Sequence, residues 1–391
     1  MNIHDKSTTN TDKMIYLERY VNNGSPSGFT FTNNTSAGTR AFDLQEYISL
    51  HLIEFPYEAE LHLGNKFNLI EKNQIIIHPD LKNYLSSMPN IKFVRKIKGI
   101  PLASGRTVYI PEFDCFVKLE YNQLLGRISR QIYPQNATHA IRINELLEKE
   151  IKRGEGIFYF PEDHARVFRL SNGNTLGMIH RDIDVMPRQN IQYTIIPAFS
   201  LFSKDILNPN ESTILSQLMY EKEDKNNYVL EKIIHPIIKV YFELLLKFGF
   251  QIEAHAQNVC YLFTNDIIGV AIRDFESVDK DLGISSKYNY LFNPQYKCVS
   301  EKSADYQKRH SFMFDFKLGE YLLSPIIEEA ALCGCSRVKL INSIKSLVNS
   351  YLNLLPKGFL PNNLWYSYPK TIIDRTTPSR PYVENNCPKY R

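Results

Sequence analysis

Apolar positions along the chain fall into short runs with strand character and longer runs with helical spacing. The pattern predicts a helix over 41–51, strands over 59–63 and 74–78, and a short helix over 79–87. Strand-like runs follow at 92–97, 107–110 and 114–119. Helical spacing is expected over 122–132 and 140–152, and strands return at 156–160, 166–170 and 175–180. Beyond a passage at 197–210 containing Pro and Asn, the chain turns helical over 212–220 and 228–248. Gly249 stands where a left-handed cap would end that helix. Two apolar runs, Val259–Phe263 and Ile267–Ile272, separated by Thr264-Asn-Asp266, predict a hairpin. Helical patterns resume over 316–332 and 337–354, before a closing stretch rich in Pro, Asn and Tyr. Residues 1 to about 40 are polar and read as peripheral. There is no internal repeat. The fold class is α+β, with two sheet-containing units and a helix-rich C-terminal half.

Composition narrows the classes. The chain has 391 residues, 43% hydrophobic and 23% charged, an ordinary globular balance with room for several structural units. A net charge of +4 is too weak to call for a polyanion, so no nucleic-acid partner is expected. The longest apolar stretch, 233–250, is interrupted by His235, Pro236, Lys239, Glu243 and Lys247. It reads as a buried helix, and no membrane association is expected. The N-terminus carries no apolar signal-peptide core. The six cysteines (Cys115, Cys260, Cys298, Cys333, Cys335, Cys387) form no CxxC pair. Together these features predict a cytoplasmic, reducing location.

The candidate chemistry concentrates in two places. Glu253, His255, Gln257 and Asn258 lie within six residues, just before the predicted hairpin. In extended backbone, positions 253, 255 and 257 would share a face. The hairpin would bring Asn258 to the same end as Arg273-Asp274. Asn and Asp at a strand end suit Mg²⁺ held against nucleotide phosphates. Upstream, Ala103-Ser-Gly-Arg-Thr107 joins two predicted strands and offers hydroxyls, N–H groups and a guanidinium in a tight turn. Lys118 interrupts an apolar strand and must reach an anion or the surface. Arg127 and Arg130 follow on the predicted 122–132 helix.

Ser104-Gly-Arg-Thr107, Lys118, Arg130, Glu253-Ala-His-Ala-Gln-Asn258 and Arg273-Asp274, in that order, resemble the motifs of siderophore synthetases that work independently of nonribosomal peptide synthetases. The type is that of aerobactin synthetase. Weaker echoes are His78-Pro79, Ile179-His-Arg181, Lys370 and Asn386-Cys-Pro388, so the resemblance spans about 75–391. It implies a hand-like fold of thumb, fingers and palm. The thumb would be reduced, since the family's N-terminal H-P-x-H-P-x-x-K motif is absent. The expected units are a reduced N-terminal region over 1–60, a fingers-like unit over 61–200 and a palm-like unit over 201–391.

By resemblance the reaction is ATP-dependent. A polycarboxylic acid, citrate or a citryl derivative, condenses with an amine or alcohol through an acyl adenylate, releasing AMP and pyrophosphate. The implied cofactors are ATP and Mg²⁺. Ser104, Arg106, Thr107 and Lys118 would hold phosphates, while Arg130 and His255 would grip the acid. Glu253, Gln257, Asn258 and Asp274 would orient the nucleotide, with Asn258, Asp274 and Glu253 as Mg²⁺ ligands. His255, Arg130 and Lys118 would carry catalysis. A homodimer, or a partner chain completing the nucleotide site, is the expected assembly. Two other readings stay open: a kinase-like phosphotransferase, and a truncated homologue that binds without catalysis.

Overall fold

The computed structural model describes residues 9–22, 46–64, 69–125, 128–362, 365–367, 383–385 and 388–391. The α+β expectation holds, with mixed sheets and a helix-rich C-terminal half. In chain order the strands that frame the site are β1 (Ile48–Glu54), β2 (Leu61–Leu63), β3 (Gln74–Ile77), β4 (Lys92–Pro101), β5 (Thr107–Ile110) and β6 (Cys115–Leu119). Next come β7 (Tyr121–Leu125), β8 (Ile128–Arg130), β9 (Ile157–Tyr159), β10 (His164–Arg169), β11 (Thr175–Arg181) and β12 (Thr194–Pro197). The last of this set are β13 (Phe250–Gln251), β14 (Val259–Phe263), β15 (Ile267–Ile272), β16 (Asp279–Asp281) and β17 (Cys298–Val299).

Eight strands form one sheet in the order β2-β10-β11-β6-β5-β4-β1-β3. Four more form a second, β12-β14-β15-β9, in which β15 and β9 run parallel. One face of the large sheet packs on its own core of Ile48, Leu50, Ile76, Val117, Leu119 and Met178 with Leu81 and Leu85. Strand residues alternate between faces. Lys118, between Val117 and Leu119, therefore faces away from that core and toward the second sheet. The largest core joins the Pro134–Glu150 and His235–Phe248 helices to the second sheet and the C-terminal helices. His235–Phe248 ends at Gly249, as expected, with φ +69°. A Cβ there would lie 2.4 Å from the Asp281 carbonyl oxygen, so glycine is required by both conformation and space.

Three expectations are corrected. Residues 48–51 were expected to be helical but belong to β1, where Ile48, Leu50 and Leu52 alternate inward. Residues 122–132 were expected to be a helix, but 122–125 and 128–130 pair as strands β7 and β8, with Tyr121 opposite Arg130 and Leu125 opposite Ile128. Helical spacing in that short apolar run is outweighed by strand pairing, since isolated propensity is a weak determinant. Residues expected to be peripheral include a packed helix, α1 (Asn10–Tyr20). Met14, Ile15 and Leu17 are buried on it, and so are Glu18 and Arg19. Thr9 caps its start by accepting the Asp12 N–H at 3.0 Å. Among the described residues, no helix is long and apolar enough to cross a membrane.

Candidate active site

The Ser104 turn joins β4 to β5. Gly105 sits at φ +73° and donates its N–H to the Leu102 carbonyl at 2.8 Å. Ser104 Oγ accepts the Thr107 N–H at 3.0 Å, which closes the turn from within. Glu18 Oε2 accepts the Ala103 N–H at 3.1 Å. Thr107 is then the cross-strand neighbour of Lys118 on β6. Lys118 is 3% exposed, and a buried ammonium requires counter-charge.

That charge comes from the residues after β15. Asp274 adopts a left-handed conformation, φ +75°, and turns the chain into a short helical turn, Phe275–Ser277. Asp is among the few residues that tolerate this region. The turn brings both Asp274 and Glu276 to Lys118. Asp274 Oδ1 contacts the ammonium directly, and Glu276 Oε2 lies 2.7 Å from it. Arg106 Nη2 is 3.5 Å from the same Glu276 oxygen. Asn136 Nδ2 donates to Glu276 Oε1 at 2.6 Å. Behind the turn, Glu162 Oε2 accepts the Phe275 N–H at 3.0 Å while Oε1 takes Arg181 Nη2 at 2.5 Å. Burial alone would raise the Asp274 carboxyl; Lys118, Arg106 and Arg181 overcome that and hold it well below the usual carboxylate range. Glu276 is depressed in the same way, against burial, by Lys118 and Arg106.

The Glu253–Asn258 segment is not extended, which corrects the expected shared face. The Ala254 N–H bonds to the Ile252 carbonyl at 3.0 Å, His255 N–H to Glu253 at 2.9 Å and Asn258 N–H to His255 at 2.9 Å. Ala254 and Ala256 are buried, so the small residues tuck inward and wind the segment into consecutive turns. Glu253 contacts the Lys317 ammonium and lies 3.8 Å from His255 Nε2. Burial would raise this carboxyl too; Lys317 first, then His255, bring it down to about 2. His255 Nδ1 accepts the Gln257 N–H at 3.2 Å, which leaves Nε2 as the ring nitrogen toward Glu253. Asn258 Nδ2 donates to the Glu253 carbonyl at 3.2 Å. Arg273 ties this loop to Asp274: its N–H bonds to the Asn258 carbonyl at 3.1 Å and its Nε to the Gln257 carbonyl at 2.7 Å.

The structure thus brings Arg106, Lys118 and Asp274 into one ion cluster, with Thr107 and Ser104 on its edge. Glu253, His255, Gln257 and Asn258 form the adjoining loop. Arg273 is a structural tie, its Nη2 paired with Glu18 Oε1 at 2.6 Å. Arg181 of the Ile179-His-Arg181 echo stands behind Asp274, while His180 turns to Asp163 at 2.7 Å. His78 caps the next turn through Nδ1, 3.3 Å from the Asp80 N–H. Arg130 is on β8; its side chain, and Arg127, Lys370 and Asn386-Cys387, lie outside the described residues. Sequence reasoning missed Glu276, Lys317, Glu162 and Glu18. A second carboxylate two positions after Asp274 was the available signal for Glu276. Among the described residues, no three His, Cys, Asp or Glu side chains converge to hold a metal.

Chains with this architecture are known. The structure superposes on ATP-bound aerobactin synthetase IucA from a hypervirulent pathotype of Klebsiella pneumoniae with TM-score 0.73, over 96% of this chain and 78% of that one, at 14% identity. The chain has the fold of the siderophore synthetases. The petrobactin biosynthesis protein AsbB of Bacillus anthracis str. Sterne matches with TM-score 0.68, over 88% of this chain and 68% of that one, at 15% identity. Aerobactin synthetase IucC of the same Klebsiella pathotype matches with TM-score 0.61, over 89% and 74% of the two chains, at 13% identity. In sequence, no family model and no curated protein matches. On this synthetase fold, the ion cluster joins the large sheet to the hairpin of the second sheet.

Proposed function

We propose that this chain is an ATP-dependent siderophore-synthetase-like ligase. In this reading it condenses a polycarboxylic acid, citrate or a citryl derivative, with an amine or alcohol. The observation that carries the reading is the Lys118 ammonium, buried between Asp274 and Glu276 with Arg106 alongside. Two cations and two carboxylates neutralise one another there. A nucleotide triphosphate with its metal can replace each internal partner with a stronger external one. Lys118 and Arg106 would hold phosphate oxygens, and the carboxylates would be free to meet a cation. The donor set fits Mg²⁺, which binds through one or two carboxylates plus phosphate oxygens and needs no all-protein cage. Asp274, Asn258 and Glu253 are the proposed ligands. When bound, Mg²⁺ neutralises phosphate charge.

The remaining roles belong to the side chains. Ser104 and Thr107 line the phosphate edge, while Gln257 helps to orient the nucleotide. Arg130 and His255 hold the acid. An oxygen of the acid's carboxylate attacks the α-phosphorus, and the bond to the β-phosphate bridging oxygen breaks to release pyrophosphate. The amine nitrogen then attacks the acyl carbon, AMP leaves, and the amine gives up one proton. A homodimer, or a partner chain over the nucleotide, completes this reading.

The test is product analysis of the full chain with ATP, Mg²⁺, citrate and a panel of amines and alcohols. AMP and pyrophosphate in equal amounts are expected. ADP would establish a phosphotransferase instead, and nucleotide binding without any product from the panel would establish a binder.

A further inference from the structure

The helix that delivers Lys317 to Glu253 is gripped elsewhere by residues 389–391. Phe312–Leu323 is wound as a π-helix. Such windings are rare and short, and they persist where surrounding structure enforces them. Three contacts here fall on residues flanking Lys317. Arg391 meets Asp315 with both ends of its fork, Nε to Oδ1 at 2.8 Å and Nη2 to Oδ2 at 2.9 Å. The pair is buried, with side chains 7% and 3% exposed. Arg391 Nη1 also donates to the Pro361 carbonyl at 2.7 Å, and Ser311 Oγ to Asp315 Oδ2 at 2.6 Å. Tyr390, 2% exposed, fills the notch left by Gly319, where an added Cβ would lie 3.1 Å from its ring. The Tyr390 hydroxyl and the Lys389 ammonium meet Ser324 Oγ at 2.7 and 2.8 Å.

We propose that Lys389, Tyr390 and Arg391 are a strap that fixes the winding of Phe312–Leu323 and thereby places Lys317 against Glu253. Arg391 and Tyr390 are positioning residues for the loop that carries His255 and Asn258. The proposal rests on that loop belonging to the ligase site described above. The physical argument is register. A one-residue change of winding turns each following side chain by about 100° around the helix axis. Without Arg391, Asp315 is a buried carboxylate lacking its cation, and rewinding is the nearest way to bring it to water. Lys317, two positions on, would move with it, and Glu253 would lose its ammonium.

The test uses the full chain with Arg391→Ala, Arg391→Lys and, as a variant that keeps the Arg391–Asp315 pair, Tyr390→Ala. Amide hydrogen exchange is followed in peptides covering 253–258 and 312–324, and ATP–Mg²⁺ affinity is measured by titration. Arg391→Ala and Tyr390→Ala should speed exchange in both segments by about tenfold and weaken ATP binding severalfold. Arg391→Lys should restore part of each effect. If only 312–324 loosens, with loop exchange and affinity unchanged, the strap is structural and the proposal is overturned. If Arg391→Ala does not fold, Tyr390→Ala decides the matter by the same two readouts. Exchange is read without turnover, so a responding loop in a chain that forms no AMP would keep the strap and reject the ligase reading.

Discussion

Lys118 Nζ lies 2.7 Å from Glu276 Oε2 while also touching Asp274, so one buried ammonium serves two carboxylates. Removing it leaves two neighbouring buried carboxylates with Arg106 and Arg181 as their remaining cations. Lys118→Ala is expected to abolish AMP formation and to cost roughly 3–5 kcal/mol of stability. Adding Glu276→Gln should recover part of the stability and none of the activity. Denaturant titration beside the product assay checks both halves; a single substitution without stability cost would contradict the pairing.

Glu18 uses both oxygens, one for the Ala103 N–H and one for Arg273. Glu18→Gln keeps an acceptor for the first and leaves the Arg273 guanidinium without its charge partner. A loss of about 1.5–3 kcal/mol is expected. The KM for ATP should rise more than kcat falls, because the substitution loosens the spacing between the Ser104 turn and Asp274. Steady-state kinetics at fixed acid and amine measure the split.

Acid should unfold the chain through this site. Glu253, Asp274 and Glu276 all have folded-state pKa values below those of free carboxylates. A depressed carboxyl contributes stability that is fully present above its unfolded pKa, about 4. That contribution fades as pH falls through the folded value, about 2 for Glu253. The denaturation midpoint should therefore hold from pH 7 to 5 with respect to these groups and drop between about pH 4 and 2. Lys317→Met should flatten the part of the drop due to Glu253.

Glu120 works in the opposite sense. It is 1% exposed, and burial pushes its carboxyl up to about 8 although the Ile132 and Gly177 N–H groups and Arg106 favour the ion. A raised carboxyl contributes stability that is complete below its unfolded pKa and lost as pH rises toward the folded one. Its own contribution should thus decline from about pH 5 to pH 8, by up to roughly 1.4 kcal/mol per unit. Glu120→Gln should remove that slope, and stability curves of the two proteins at pH 5, 6.5 and 8 would diverge accordingly.

What could be read from the sequence was local. The hairpin Val259–Phe263 and Ile267–Ile272, the cap at Gly249 and the Ser104 turn each announce themselves within a few residues. Arg106, Lys118 and Asp274 could be grouped because charged residues inside or beside apolar strands demand partners. Their actual partners were hidden. Glu18 and Lys317 come from distant helices, and nothing near them in sequence distinguishes them from solvated charges. The β7–β8 hairpin was hidden for a related reason: its apolar spacing suits a helix, and only pairing between its two strands decides otherwise.

The Glu18 bridge also bears on how the chain acquires its function. It links the Ser104 turn and Arg273 to a helix that lies most of the chain's length away from Arg273 in sequence. Contacts of that span close late, because the intervening chain must be ordered first. Refolded protein should therefore regain its helical signal well before it regains nucleotide binding. Recovery of binding would then serve as a clock for the last long-range closure in folding.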